Sequence, residues 1–352
     1  MRELTFREAI SEALVQAMRG DQRIFIMGVG VDDPKGAFGT TSDALKQFGG
    51  SRVFDVPISE NAMTGIAIGS AMDGLHPVLV HARNDFLLLT MDQLVNNAAK
   101  WSYMTAGKIS VPMTVRAVIG RGWGQAAQHS QSLQALFAHV PGLKVVLPGG
   151  PFEAKGLLMS SLKEKAPVIF LEHRWLYEKK DGVPQEPYSL PLGKGRILRQ
   201  GKDITIVAMS YMAWECRQVS VNLARQGIEA ELIDPMTVSP LDVDIIVSSV
   251  RKTGRLLVVD TSFVFAGMSA EIVASVSERA GPALKSPVQR LGLPFAPTPC
   301  SAVLERVYYP DTGTIEQAVL RMLQNGSLEH FNVVSGKGYQ AENPSSEWNG
   351  PF

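Results

Sequence analysis

Short apolar runs alternate with longer segments of helical period along most of this 352-residue chain. Residues 24–27, 78–80, 113–118, 144–147 and 168–171 read as strands. Between them the spacing predicts helices near 5–18, 61–72, 90–104, 132–138 and 151–164. Glycines and prolines such as Gly28, Gly74 and Pro141-Gly142 punctuate these units. Strands separated by helices in this rhythm predict a mainly parallel sheet with helices on its faces.

After residue 178 the pattern changes. Glu178-Lys-Lys-Asp-Gly-Val-Pro-Gln-Glu-Pro187 is charged and proline-bearing, and no helical period returns until residue 203. A second α/β set follows, with strands at 204–209, 230–233 and 255–259 and helices near 213–225, 241–250, 269–279 and 314–324. The fold class expected is therefore α/β, two three-layer domains with mainly parallel sheets. Their bounds are 1–178 and 203–326, joined by a linker at 179–202 and followed by an irregular tail at 327–352.

Charge and composition narrow the classes of function. Lys+Arg and Asp+Glu balance at 34 each, which argues against a general electrostatic binder of nucleic acid. No apolar run approaches the roughly 18 residues of a membrane span, and the charged N-terminus lacks a signal-peptide core. The expectation is a soluble, cytoplasmic protein with no membrane partner. Cys216 and Cys300 are far apart, lack metal-ligand spacing and read as packed thiols.

The chemistry concentrates in two places. In Val53-Phe-Asp-Val-Pro-Ile-Ser-Glu60 an extended run ends at Pro57, Ser59 is a candidate helix cap, and Glu60 opens a helix of small residues: Ala62, Gly65, Ala67, Gly69 and Ala71. Each glycine costs such a helix about 1 kcal/mol, so close contact with another backbone or a ligand is expected to offset it. By itself Glu60 has two readings, a carboxylate complementing the helix dipole or one aimed at a ligand.

The second place is Gln125-Ala-Ala-Gln128-His129-Ser130-Gln131-Ser132, ahead of a short predicted helix. Histidine is the side chain suited to giving and taking a proton, which makes His129 a candidate for proton exchange, with Gln128 and Ser130 available to orient its ring. An inert, hydrogen-bonded histidine at a helix start is the other reading. Ser130 and Ser132 lack a nucleophile-elbow context. Gly120-Arg-Gly-Trp-Gly124 lacks the spacing of a dinucleotide fingerprint, and there is no Walker loop. Also missing is a Gly-Asp-Gly followed by an Asn-Asn pair, the arrangement by which thiamine-dependent enzymes hold a divalent metal and diphosphate.

Taken together, the ordered motifs resemble those of the beta subunits of the thiamine-diphosphate-dependent decarboxylase component of 2-oxo acid (pyruvate or branched-chain) and acetoin dehydrogenase complexes. The motifs are Gly36-Ala-Phe-Gly39, the segment ending at Glu60, Met91-Asp-Gln-Leu-Val-Asn-Asn-Ala-Ala-Lys100, Ala127-Gln-His129-Ser-Gln131, Ala138-His-Val-Pro-Gly-Leu-Lys-Val-Val146, Pro151-Phe-Glu-Ala-Lys-Gly156 and Ile233-Asp-Pro235. The resemblance spans residues 1 to about 325 and implies a transketolase-like pyrimidine-binding domain followed by a transketolase C-terminal-like domain.

Residue by residue, it implies that Glu60 hydrogen-bonds the aminopyrimidine of thiamine diphosphate and that Phe86 stacks on that ring. It implies that His129 lines the substrate channel and assists acyl transfer to lipoamide. Mg2+ and the diphosphate would be held by an alpha subunit in a two-alpha, two-beta heterotetramer containing a beta–beta dimer. K+ is a further candidate ligand and a lipoyl acyltransferase core a further candidate partner. A split transketolase-like or acyloin-forming ligase subunit without a lipoyl partner, and a non-catalytic structural subunit, are the alternatives.

Several positions depart from the family pattern. Gly28-Val29-Gly30 replaces the usual acidic pair, Val80-His81-Ala82-Arg83 replaces a Glu followed by apolar residues, and Val264-Phe-Ala-Gly-Met268 lacks a double glycine. Arg83, three residues before Phe86, would recognise a substrate carboxylate or phosphate if it points inward, although an outward, solvated arginine is the ordinary expectation. Gln128 is the other candidate substrate contact. These departures bear on the substrate more than on the cofactor.

Overall fold

The computed structural model describes residues 1–120 and 124–324. Its first strands are β1 (Arg2–Thr5), β2 (Ile24–Gly28), β3 (Val53–Phe54), β4 (His76–His81), β5 (Thr114–Ile119), β6 (Lys144–Val146) and β7 (Val168–His173). Then come β8 (Lys180–Val183), β9 (Arg196–Arg199), β10 (Ile204–Ala208), β11 (Ala230–Asp234), β12 (Thr237–Ser239), β13 (Leu256–Phe263) and β14 (Gln289–Leu293). They belong to two compact units. One comprises Met1–Ile119, Leu136–Leu192 and Thr237–Pro240; the other comprises Gly120–Ala135, Gly193–Met236 and the described residues from Leu241 onward.

The first unit is built on a sheet of order β12-β6-β7-β5-β4-β2-β3, parallel throughout except at the β12–β6 edge. Val145, Ile169, Val115, Leu79 and Met27 stand in register across it, and none is more than 2% exposed. Burying each such side chain is worth about 1.5–3 kcal/mol, so this row is a large part of what holds the strands together. Every residue of β4, β5 and β7 is buried, as in a sheet covered on both faces by helices. The helix Phe6–Gly20 begins with a capping box in which Thr5 and Glu8 satisfy each other's backbone N–H groups.

The second unit carries a sheet of order β14-β13-β10-β11-β9, parallel except for β9. Its helices include Tyr211–Ala224, Val243–Thr253, Met268–Ala280 and Thr312–Leu323. The boundaries of Val243–Thr253 follow from local chemistry. Asp242 caps the Ile245 N–H, and Gly254 ends the helix in the left-handed conformation, which glycine adopts without strain.

Three segments differ from the sequence reading. Residues 179–202, expected as a connection, contain β8, which pairs antiparallel with β1, and β9, which pairs antiparallel with β11. Lys180-Asp-Gly-Val183 has no apolar alternation, so its pairing is fixed by β1 and not by its own pattern. The helix expected over 90–104 is instead a short 3-10 turn at Leu88–Thr90, a π-helix at Asp92–Ala98 and an α-helix at Ala99–Met104. Asn96 donates to Asp92 and Asn97 to Gln93, giving the widened turns a polar ladder of their own. Cys216 is buried as expected, but Cys300 is exposed because it lies in irregular chain ahead of Ala302–Tyr308. The tail at 327–352 lies outside the described residues, as do residues 121–123 of the glycine-bearing loop. No described helix is long and apolar enough to cross a membrane.

Candidate active site

In the first unit the chain leaves β3 extended and enters the helix Glu60–Met72. Ser59 occupies the N-cap position, but its side chain makes no capping hydrogen bond, so the cap expected there is not formed. Glu60 is half-buried, and its carboxylate has no hydrogen bond or ion pair among the described residues. Only its backbone carbonyl is engaged, accepting from Thr64 Oγ1 at 2.7 Å. A carboxylate held on a helix terminus at the carboxyl edge of a parallel sheet, with no partner among the described residues, stands where α/β proteins bind ligands.

The close contact expected along the small-residue helix is only partly supplied by the described residues. A Cβ at Gly65 would lie 3.7 Å from Gln93 Oε1, an ordinary distance, while one at Gly69 would meet nothing within 4 Å among the described residues. Asn61 ties this helix to the next segment, donating to Leu89 O at 3.4 Å and accepting from Gln93 Nε2 at 3.3 Å. The outer face joins exposed Ala62 and Gly69 to exposed apolar side chains, Ile58 at 80%, Ile66 at 54% and Leu89 at 59%.

At the carboxyl end of β4 the side chains alternate inward and outward. His81 and Arg83 are buried while Ala82 is exposed. Arg83 is 2% exposed, which corrects the expectation of a solvated, outward guanidinium. Phe86 is half-buried on the short helix Asn84–Leu87 that follows. Burial lowers the His81 imidazole to about 4, so it is neutral at physiological pH, and its buried Nε2 has no hydrogen-bond partner among the described residues. In the sequence His81 was visible only as a departure from the family pattern.

A cavity of about 420 Å³ in the first unit lies at the opposite, amino-terminal edge of the strands and is lined by Arg23, His76, Lys108 and Lys163 among others. Ligands of parallel α/β sheets sit at the carboxyl edge, so volume alone does not identify the site here. Among the described residues no group of three or more His, Cys, Asp or Glu side chains could hold a metal ion.

In the second unit, residues 124–135 carry His129, half-buried, and Gln128, exposed. Ser130 and Ser132 are buried. The loop closes on itself through Gly120 N–H donating to Gln131 O at 3.1 Å. Two contacts reach β13: Gln134 Nε2 donates to Asp260 Oδ1 and Oδ2 at 2.8 and 2.9 Å, and Ser262 Oγ donates to Ser132 O at 2.9 Å. Burial pushes the Asp260 carboxyl up to about 7, against the opposing pull of hydrogen bonds from Gln134 and from the Thr261 and Ser262 backbone. Sequence reading missed Asp260 and Gln134. The available signal was a carboxylate directly after the apolar run Leu256–Val259, where a strand was expected to end.

Comparison with known proteins bears on both units. Residues 2–180 match the family model described as transketolase, pyrimidine binding domain, and residues 193–315 match transketolase, C-terminal domain. The chain is 39% identical to the acetoin:2,6-dichlorophenolindophenol oxidoreductase subunit beta of Cupriavidus necator, over 92% of this chain and 99% of that one. It is 41% identical to the mitochondrial pyruvate dehydrogenase E1 component subunit beta-2 of Oryza sativa, over 91% and 86%. It is 36% identical to the pyruvate dehydrogenase E1 component subunit beta of Bacillus subtilis, over 92% and 100%. A solved split gene transketolase, an inactive beta4 tetramer, superposes with a TM-score of 0.73 over 92% of this chain at 23% identity, a likeness of fold.

Proposed function

This chain belongs to the transketolase-type family of pyruvate and acetoin dehydrogenase E1 beta subunits, and from that membership we propose that it is the beta subunit of a thiamine-diphosphate-dependent oxidoreductase of the cytoplasm. Its reaction would be decarboxylation of a 2-oxo acid, or cleavage of an acetoin-like ketone, with acyl transfer to lipoamide. The observation that carries this reading is Glu60: a half-buried carboxylate at a helix start, with no partner among the described residues, suits an aminopyrimidine nitrogen.

Thiamine diphosphate supplies a thiazolium carbon that becomes a nucleophile once deprotonated. The work left to the chain is binding and proton handling. Glu60 holds a proton at the pyrimidine nitrogen, and Phe86 offers a ring face to the pyrimidine. His129 gives or takes the proton that acyl transfer requires. Arg83, an inward cation three residues from Phe86, is suited to a carboxylate or phosphate of the substrate, and Gln128 offers an exposed amide beside His129.

The diphosphate and Mg2+ would be held by an alpha subunit, with two copies of each subunit in the assembly. The outer face around Ile58, Ile66, Leu89 and Gly69 supports such a partner, because exposed apolar side chains flanking a helix of small residues suit close docking of another chain. In the second unit exposed Phe265 and Phe295 lie with ring centroids 4.8 Å apart, tilted at 52° to each other, and suit a contact between beta subunits. K+ and a lipoyl acyltransferase core complete the assembly proposed.

The test is to co-express the chain with its alpha-type partner and follow turnover of pyruvate, branched-chain 2-oxo acids and acetoin with an artificial electron acceptor. Turnover of one of them that requires both chains and added thiamine diphosphate is expected. Turnover unchanged by Glu60→Ala would overturn the assignment of Glu60, and an assembled alpha–beta complex that binds no thiamine diphosphate would overturn the enzymatic reading.

A further inference from the structure

The segment that carries His129 is anchored by an unusual amount of buried polar chemistry. Gln134 and Asp260 are both buried, and one amide nitrogen serves both carboxylate oxygens. Two residues along β13, buried Ser262 donates its hydroxyl to the carbonyl of Ser132. The two contacts therefore grip the same stretch of chain at residues 132 and 134, three and five positions beyond His129. Hydrophobic packing could end a loop here more cheaply. A buried carboxylate costs several kcal/mol of desolvation unless hydrogen bonds compensate, and Asp260 takes them from Gln134 and from the backbone of Thr261 and Ser262. Directional bonds fix position and angle, which apolar contacts do less well. Gln134 Oε1, by contrast, is buried without a hydrogen-bond partner among the described residues, so the carboxylate is what orients the amide there.

We infer that Asp260, acting through Gln134 and helped by Ser262, is a positioning residue that sets the placement of His129 for proton transfer. This rests on the functional reading of His129 given above. Asp260 touches neither substrate nor cofactor in this account; its effect passes through the chain it holds. Removing the clamp should therefore lower kcat more than it raises KM, because proton transfer depends on placement within a few tenths of an ångström while binding of the substrate as a whole does not.

The experiment uses the full chain in complex with its alpha partner and reads two quantities, backbone hydrogen exchange over residues 124–135 and steady-state kinetics with the best substrate. Gln134→Leu, close in shape but unable to donate, should speed exchange over 124–135 by about tenfold or more while leaving β10 and β11 unchanged. It should lower kcat by about tenfold with KM changed less than about threefold. Asp260→Asn keeps an acceptor for the Gln134 amide and should stay near wild type in exchange. Ser262→Ala, which removes one hydroxyl and is expected to fold, should give a smaller increase confined to the neighbourhood of Ser132.

Exchange over 124–135 that is unchanged in both Gln134→Leu and Ser262→Ala overturns the clamp. Faster exchange with unaltered kcat overturns the positioning role. His129→Ala separates the two inferences: wild-type turnover in that variant removes the function assigned to His129 and leaves the exchange result for the clamp standing.

Discussion

Arg116 and Glu172 form a bidentate ion pair inside the first sheet, Nε to Oε1 at 2.6 Å and Nη2 to Oε2 at 2.9 Å, with both side chains no more than 2% exposed. Thr40 Oγ1 accepts from Arg116 Nη2, and the Tyr177 hydroxyl donates to Glu172 Oε2 at 3.0 Å. Burial pushes the Tyr177 hydroxyl well above its ordinary value, so it keeps the proton it donates. A pair of this kind is weak evidence of net stabilisation, yet breaking it leaves a charge uncompensated. Glu172→Gln should cost about 3–5 kcal/mol in urea unfolding. Arg116→Met with Glu172→Met should cost clearly less than the sum of the single changes, and additivity of the two would show that they do not act as a pair.

Lys155 poses the same problem with one charge deeper. Its side chain is fully buried, and Nζ reaches Glu12 Oε1 at 2.5 Å and the carbonyls of Pro184, Gln185 and Glu186 at 2.7, 3.0 and 3.1 Å. Three rotatable N–H donors meet one carboxylate and a cluster of carbonyls, a geometry suited to an ammonium and not to a planar guanidinium. Lys155→Met and Lys155→Arg should therefore both lower stability, Lys155→Met by about 3 kcal/mol or more. A melting temperature for Lys155→Arg equal to that of the wild type would contradict the cage.

Much of the fold was legible because apolar periodicity and glycine or proline breaks act over a few residues. The runs read at 24–27 and 204–209 appear as Ile24–Gly28 and Ile204–Ala208, and the helix read at 61–72 appears as Glu60–Met72. What was not legible depends on partners distant in sequence. β12 follows a strand of the second unit by three residues yet pairs with β6 of the first. Glu172 lies 56 positions from Arg116, and nothing local shows that β5 and β7 are neighbours. Arg83 looked like a surface cation because burial of a charge depends on its surroundings and not on its own pattern. Glu60 and His129 stood out by residue type and spacing, whereas Asp260 and Gln134 meet across 126 residues of sequence.

Two buried groups give the stability of this chain opposite responses to pH. Burial lowers His81 to about 4, below an unfolded value near 6.5. Between these values the unfolded chain binds a proton that the folded chain does not, so this contribution is full above about 6.5 and is lost as pH falls toward 4. Asp260 is raised from 3.8 to about 7, so there the folded chain holds the extra proton. Its contribution is full below 3.8 and is lost as pH rises through about 7. In urea unfolding across this range, His81→Phe should flatten the acid side of the stability curve, and Asp260→Asn should remove a decline between pH 5 and 7. A curve for Asp260→Asn that runs parallel to the wild type would show that the carboxyl is not perturbed.

Glu60 can be tested as a cap and as a catalyst at the same time. If its role were to complement the helix dipole, Glu60→Gln would lose up to about 1 kcal/mol and that loss would fade with added salt. Its carboxylate is half-buried and has no partner among the described residues, so little else in the folded chain depends on its charge. If Glu60 instead holds the proton on the cofactor pyrimidine, as proposed, the same substitution keeps the shape and removes the acid–base function, so turnover should fall by about a hundredfold or more. Thermal unfolding of the chain alone and turnover of the alpha–beta complex read the two roles separately. A stability change within about 0.5 kcal/mol together with the collapse of turnover is the expected pair. A salt-sensitive loss of stability with turnover intact would return Glu60 to the status of a helix cap.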